Sequence, residues 1–478
     1  MAVSFRAKHV HLLGVGGTGL SAIARVLLER GALVSGSDLK RSPAAEALAR
    51  DGAQIFVGHR AEHVTGADLL VTSAAIPDSN VEVQAAKAAG IPVLKRPAFL
   101  AQLVAGYQVV AVSGTKGKTT STAMLASILM EAGRDPTFIV GGIITGMETN
   151  ARAGEEGGIF VIEADEYERT FLELAPHVAV ITNVVHDHPD CYPTFDDLRE
   201  AFEAFAALIP ADGLLVCAWD DPAAREIGER RRSEGLEVRF FGTGEGAEWR
   251  VEDLRPNFVG GVDCLVTRRG ETLGLLRLRL PGAYNALNAL AALAVSDFLG
   301  VPFNVAREAS TAFRGVGRRF ELRGEAGGVT VIDDYAHHPL AIRATLSAAR
   351  QRFPDQPVWA VWQPHTYSRT KVLLEEFTQA FDMADHVIVL PIYAPPGARD
   401  RSAGYTISSA EVVASMRHPD VRCADSLEEA MVWLGTESRS GEVVLTLSAG
   451  DGNRVGEWLL CVLGEDNGGG NGTGEGQT

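Results

Sequence analysis

The run "GTKGKTT", Gly114 to Thr120, follows the apolar stretch "VVAVS" and precedes the helical pattern "STAMLASILMEAG". A strand, a glycine turn and a helix in that order form a phosphate cradle. Backbone amides surround the oxygens, Lys118 supplies positive charge and Thr119 reaches a magnesium ion. Gly114, Thr115, Lys116, Gly117, Lys118, Thr119 and Thr120 are therefore the expected nucleotide-phosphate site. Val112 stands where the general pattern G-x-x-x-x-G-K-[ST] has its outermost glycine, a position that does not approach phosphate closely.

Further polar clusters end later apolar runs. "VIEADEYE" supplies Glu163, Asp165 and Glu166, and "TNVVHDHPD" supplies His186, Asp187, His188 and Asp190. Magnesium prefers oxygen donors and tolerates an occasional imidazole, so Glu163 with Thr119 suits one ion and His188 a second. The H-x-H spacing alone would suit zinc, but no cysteine joins it, and a solvated histidine at a strand end is the ordinary alternative. In "YNALNALAA", Asn285 and Asn288 lie one helical turn apart, suited to an adenine edge, although asparagines at a cap are commonplace. "GVGRRFE" offers Arg318 or Arg319 to a phosphate, against the default of a solvated arginine. "DDYAHHP" and "QPHTYSRT" place Asp334, His337, His338, His365 and Arg369 after apolar runs, where all five can face one crevice.

Near the N-terminus, Gly14, Gly16, Gly17 and Gly19 follow a short apolar run and open a helical pattern, with Asp38 at the end of the next apolar run. This is the context of a dinucleotide fold, in which a phosphate meets a helix N-terminus and the acid meets a ribose or base. Glycines kept only for helix–strand packing, and NAD(P) binding by an oxidoreductase, are competing explanations.

These residues need a framework. Strand–helix–strand units recur along the chain, with Leu20, Ile23, Ala24, Leu27 and Leu28 at helical spacing in the first of them. The expected fold is α/β in three domains. Residues 1–106 form a Rossmann-like domain, 107–318 a central P-loop domain with a mostly parallel sheet, and 319–464 a second Rossmann-like domain. An antiparallel meander is expected from about Leu236 to Leu280. The tail 465–478, "EDNGGGNGTGEGQT", has too little apolar surface to offset its ordering entropy.

The 478 residues are enough for about three domains, and a net charge of -17 argues against nonspecific binding to nucleic acid or anionic membranes. Five scattered cysteines form no C-x-x-C pair, and neither a leader-like apolar core nor a spanning apolar run is present, which points to a cytoplasmic protein with reduced thiols.

Taken in order, the N-terminal glycine unit, "GTKGKTT", "EADE", "TNVVHDHPD", "YNALNALAA", "GVGRRFE", "DDYAHHP" and "QPHTYSRT" resemble the Mur ligases, ATP-dependent enzymes that build the peptide stem of peptidoglycan precursors. The resemblance covers about residues 8 to 452, and the last two motifs are its most discriminating parts. It implies that Gly14, Gly16, Gly17, Thr18, Gly19, Asp38 and Ser73 hold a UDP-sugar, and that Lys118 and Thr119 hold ATP phosphates and Mg2+. It makes Glu163 and His188 magnesium ligands, assigns Asn285, Asn288, Arg318 and Asp334 to ATP, and sets Arg369, with His337, His338 and His365, near the substrate carboxylates. Lys118, Glu163, His188 and Arg318 become the catalytic set. The implied partners are UDP-N-acetylmuramate and L-alanine, with a murein tripeptide as the rival amine, in a monomer or homodimer. Tyr284 stands where the family often has histidine, Thr366 where many members carry arginine, and "EADEYERTF" replaces the commoner "EADESDASF".

Overall fold

Apolar runs that end in glycine or acid become parallel strands, and the helices between them cover both faces. The computed structural model describes residues 4–73, 75–395 and 404–466. Within them the strands assemble into three sheets.

The first sheet uses His9–Leu13, Leu33–Asp38, Gln54–Val57, Leu69–Thr72 and Val93–Lys95, all parallel. His9–Leu13 lies at its centre, with Leu33–Asp38 on one side and Leu69–Thr72 on the other. This doubly wound order opens a crevice at the carboxyl end of the central strand. Gly14 and Ser73 border that crevice, and Gly14 adopts φ +91°. The helix Thr18–Glu29 buries Leu20, Ile23, Ala24 and Leu27 against the sheet, as the spacing predicts.

The second sheet has ten strands, and the seven from Trp249–Pro256 across to Thr137–Ile144 run parallel. The antiparallel meander starts later than expected, spanning Trp249–Pro256, Val262–Arg268 and Glu271–Leu278. Glu237–Gly242 instead joins the parallel part, because Val238, Phe240 and Phe241 are buried and the helix Pro222–Ser233 supplies the crossover. A single apolar core runs continuously from Phe5 through Val316, so the first two sheets are packed as one body.

The third sheet contains Glu321–Ala326, Val329–Asp334, Val358–Gln363, His386–Val389, Val421–Cys423 and Val443–Ser448. Five of these strands are parallel, and the last in sequence, Val443–Ser448, inserts between Val329–Asp334 and Val358–Gln363. Separate apolar clusters cover its two faces, one around Trp362 and Phe377, the other around Trp359 and Leu434. The final helix, Arg454–Asp466, reaches two residues into the segment expected to be a disordered tail; residues 467–478 lie outside the described residues. Among the described residues, no helix is long and apolar enough to cross a membrane.

Candidate active site

The carboxyl ends of the three sheets face a common cleft of about 1510 Å3. Its floor is the glycine loop between the strand Gln108–Ser113 and the helix Lys118–Glu131. Val112 pairs on both sides inside that strand, which is why the outer glycine of the general pattern is dispensable. Gly117 caps the helix at φ +90°, and a Cβ there would overlap Asn288 Oδ1. Thr115 N–H donates to Asn183 O at 3.0 Å and Lys116 N–H to Asn183 Oδ1 at 2.9 Å. Those two amides are therefore committed, and the free N–H groups of the first helical turn remain for an anion.

Lys118 Nζ contacts Glu166 Oε2 at 2.6 Å and Gly114 O at 2.6 Å. Burial alone would lower its pKa, but Glu166 and Asp165 raise it above the ordinary lysine value, so it stays charged. Thr119 Oγ1 donates to Glu163 Oε1 at 2.9 Å and accepts from Arg319 at 3.1 Å. Glu163 Oε2 accepts from Gly141 N–H at 2.6 Å, and burial raises its pKa against the pull of Lys118 and Arg319. This pair of hard oxygens, open to the cleft, fits a magnesium ion that takes its remaining ligands from phosphate and water. Among the described residues no group of three histidine, cysteine or acid side chains forms an all-protein metal cage. His188, at φ 55°, places Nε2 3.7 Å from Glu166.

Asp187 joins the P-loop to the third sheet. Its Oδ2 lies 3.0 Å from Lys116 Nζ and its Oδ1 2.7 Å from Arg369 Nε. Burial would raise this carboxyl, but Arg369 and Lys116 hold it well below the usual range. Arg369 also donates from Nη1 to His365 Nδ1 at 3.0 Å. Burial and Arg369 together push His365 down to about 3. His338 caps the helix Pro339–Arg352 and meets His186 O at 3.2 Å; burial and Lys116 push it to about 3 as well. Asp334 accepts from Phe320 N–H at 2.9 Å, and burial lifts its pKa to about 6.

Three family models match along the chain. One describes the catalytic domain of the Mur ligase family, over residues 9–108; one the Mur ligase middle domain, over 112–296; one the glutamate ligase domain, over 318–450. The chain belongs to the Mur ligase family. It is an ATP-dependent ligase that forms amide bonds. It is 42% identical over 458 residues to the UDP-N-acetylmuramate–L-alanine ligase of Caldanaerobacter subterraneus subsp. tengcongensis, covering 95% of this chain and 97% of that one. It is 41% identical to the enzyme of the same name from Roseiflexus sp., covering 96% and 100%. The crystal structure of UDP-N-acetylmuramate-alanine ligase from Thermotoga maritima superposes with a TM-score of 0.79 at 29% identity, covering 94% and 98%. A murein peptide ligase from Psychrobacter arcticus superposes at 0.72 and 25%, covering 96% and 99%.

In this Mur ligase the structure separates the two arginines of "GVGRRFE". Arg319 turns toward Thr119, whereas Arg318 is held by Asp333 at 2.9 Å and by the carbonyls of Ser448 and Gly450. Asn285 and Asn288 bond to each other at 3.2 Å, and Asn288 accepts from Ser121 at 3.3 Å, which sets both beside the P-loop. In the first sheet, Asp38 Oδ2 accepts from Gly16 N–H at 2.9 Å, so the acid braces the glycine loop. Tyr284 is packed against the third-sheet core beside Asp334, and burial raises its hydroxyl far above the ordinary value. Thr366 caps the helix that carries Arg369.

Sequence reasoning passed over two cations. Lys116 was read only as part of the loop, yet it reaches Asp187. Arg96, unremarked, lies over Gly19 and reaches Asp165 at 3.5 Å, linking the first glycine loop to the central sheet. Its only signal was its place after the apolar run "IPVLK" at a helix start.

Proposed function

We propose that this Mur ligase, acting in the cytoplasm, joins L-alanine to the lactyl carboxylate of UDP-N-acetylmuramate at the expense of ATP. The observation that carries the reading is the convergence of the first glycine loop, the P-loop and Arg369 on one cleft. Residues 1–106 would receive the UDP-sugar at Gly14, Gly16, Gly17, Thr18, Gly19 and Ser73; residues 107–318 the ATP; and residues 319–464 the amino acid. Relatives at about 41–42% identity over nearly the whole chain carry the name of this activity.

A carboxylate is a poor electrophile, and transfer of the γ-phosphoryl group of ATP to it gives an acyl phosphate. Lys118, Arg319 and the first-turn amides of the P-loop helix offset the charge that develops in that transfer. Thr119 and Glu163 would hold a magnesium ion, which when bound would supply Lewis-acid polarisation of the phosphates. The amine of alanine then attacks the acyl carbon and phosphate leaves. Arg369 pairs with the alanine carboxylate and so orients the nucleophile.

Phosphate release from ATP and UDP-N-acetylmuramate, measured with L-alanine, glycine, L-serine or a murein tripeptide supplied separately, tests the reading. The expected result is strongest stimulation by L-alanine. Stimulation by the tripeptide alone would move the chain to the recycling branch of the family, which the "EADEYERTF" form also resembles although "QPHTYSRT" favours the alanine-adding enzyme.

A further inference from the structure

The histidines that line the cleft are His188, His337 and His365, and their hydrogen bonds sort them by tautomer. A guanidinium can only donate, so the bond from Arg369 Nη1 makes His365 Nδ1 an acceptor and places its proton on Nε2. Its ring lone pair is therefore already engaged. His338, behind the cleft wall, is engaged at both nitrogens: Nδ1 accepts from Leu340 N–H and Nε2 faces the carbonyl of His186. His188 directs Nε2 at Glu166 and is itself a candidate metal ligand.

His337 is arranged the other way round. Its Nδ1 lies 2.7 Å from Tyr335 O, and a carbonyl can only accept, so the proton sits on Nδ1 and the lone pair on Nε2. Among the described residues, Nε2 meets no hydrogen-bond partner. The ring is wedged edge-to-face against Tyr335, with centroids 5.2 Å apart, and packs 5.6 Å from His365, which fixes where that lone pair points.

We propose that His337 is the general base that takes a proton from the incoming amine through Nε2. The inference rests on the acyl-phosphate reading above. L-Alanine enters as an ammonium ion with no lone pair. Transfer of one proton to Nε2 frees the nitrogen pair, which forms the C–N bond at the acyl carbon. The tetrahedral adduct collapses with cleavage of the C–O bond to phosphorus-bound oxygen; the leaving phosphate carries away that electron pair and accepts the second amine proton. His337 then returns its proton to water.

The charged and titratable groups facing this ring are Lys116, Arg369, Asp187, His365 and, edge-on, Tyr335. Burial, then Lys116 and Arg369, hold the imidazole well below its ordinary pKa, so before the intermediate forms the ring is neutral but only weakly basic. An anionic acyl phosphate beside the two cations works in the opposite direction and makes the ring more basic as the intermediate forms, while Asp187 steadies the resulting imidazolium.

The test compares two nucleophiles on the whole enzyme with ATP and UDP-N-acetylmuramate. Hydroxylamine is uncharged at neutral pH and traps an acyl phosphate without a base. His337→Asn keeps a donor for Tyr335 O but removes the lone pair. The variant should lose about 100-fold or more of alanine-dependent kcat, while hydroxylamine-dependent phosphate release stays within about twofold of wild type and KM for alanine changes little. Equal loss with both nucleophiles, or no loss with either, would overturn the proposal. The wild-type enzyme gives a second readout that needs no variant. With a protein base, the ratio of alanine to hydroxylamine rates levels off above neutral pH; a ratio that climbs about tenfold per pH unit from 7 to 9 would overturn the assignment. If the wild type responds to another amine in place of alanine, the substrate reading falls and His337 is judged by the same two comparisons on that amine.

Discussion

Asp187 holds Lys116 of the P-loop and Arg369 of the third sheet on its two carboxylate oxygens, at 3.0 Å and 2.7 Å, with the carboxylate almost wholly buried. One side chain thus ties the P-loop to the third-sheet unit across the cleft. Asp187→Asn removes the charge from a buried pair with Arg369 and leaves that arginine facing the partly exposed Lys116. Breaking such a pair costs about 3–5 kcal/mol. The third sheet should detach more readily in the variant, seen as a larger radius of gyration by solution scattering with ATP and UDP-sugar present. An unchanged radius, with unchanged kcat, would show that the contact does not hold the third sheet in place.

The same carboxyl sets an acid limit. Its folded pKa is depressed below the usual aspartate value, so its stabilisation is present above about pH 4 and is lost only as pH falls through the folded value. Protease protection of the third-sheet unit should therefore be the same at pH 7 and pH 5 as far as this group is concerned. The wild-type minus Asp187→Asn difference in unfolding free energy should stay constant over that window.

Arg318 and Arg319, adjacent in sequence, should give opposite phenotypes. Arg318→Ala loses Asp333 and two carbonyls within the third-sheet unit and should lower the denaturation midpoint. Arg319→Ala removes a cation from the phosphate side of the cleft and should reduce kcat/KM for ATP by about tenfold or more with little change in that midpoint. Parallel denaturation and phosphate-release assays separate the two.

Asp334 points to a pH effect of the other sign. Burial raises its pKa to about 6, so folding favours the protonated form. Its contribution is fully present below about pH 4 and is lost as pH rises through 6. Asp334→Asn keeps an oxygen for Phe320 N–H and removes the buried charge. The variant should gain up to about 3 kcal/mol over wild type at pH 7.5 and lose that advantage by pH 4 in urea denaturation. Because the acid also lines the cleft, ATP affinity should fall in the same variant.

Much of this was legible in the chain because local patterns determine it. Glycine turns after apolar runs placed Gly14 and Gly114 at strand ends, and helical spacing assigned the buried face of Thr18–Glu29. The meander boundary was misplaced because Glu237–Gly242 reads as an alternating strand, and only its packing under Pro222–Ser233 makes it parallel. Which of the two neighbouring arginines reaches Thr119 goes with a turn that takes positive φ at Arg318, 59°, and again at Phe320, 50°, which no local pattern announces. Asp187 was quoted in a motif, but its partners lie 71 and 182 residues away in sequence, and no local pattern announces such a pair.

The placement of Val443–Ser448 between Val329–Asp334 and Val358–Gln363 bears on how the protein is made. The first sheet can close from strands that leave the ribosome within the first hundred residues. The third cannot: its second and fourth strands in spatial order have no bonded neighbour on their facing sides until residue 448 has emerged. Until then two apolar edges wait side by side, open to strangers. A chain stopped shortly before that strand would keep a folded nucleotide floor and a first glycine loop, and would enter the cell as a sticky half-enzyme rather than a slow one.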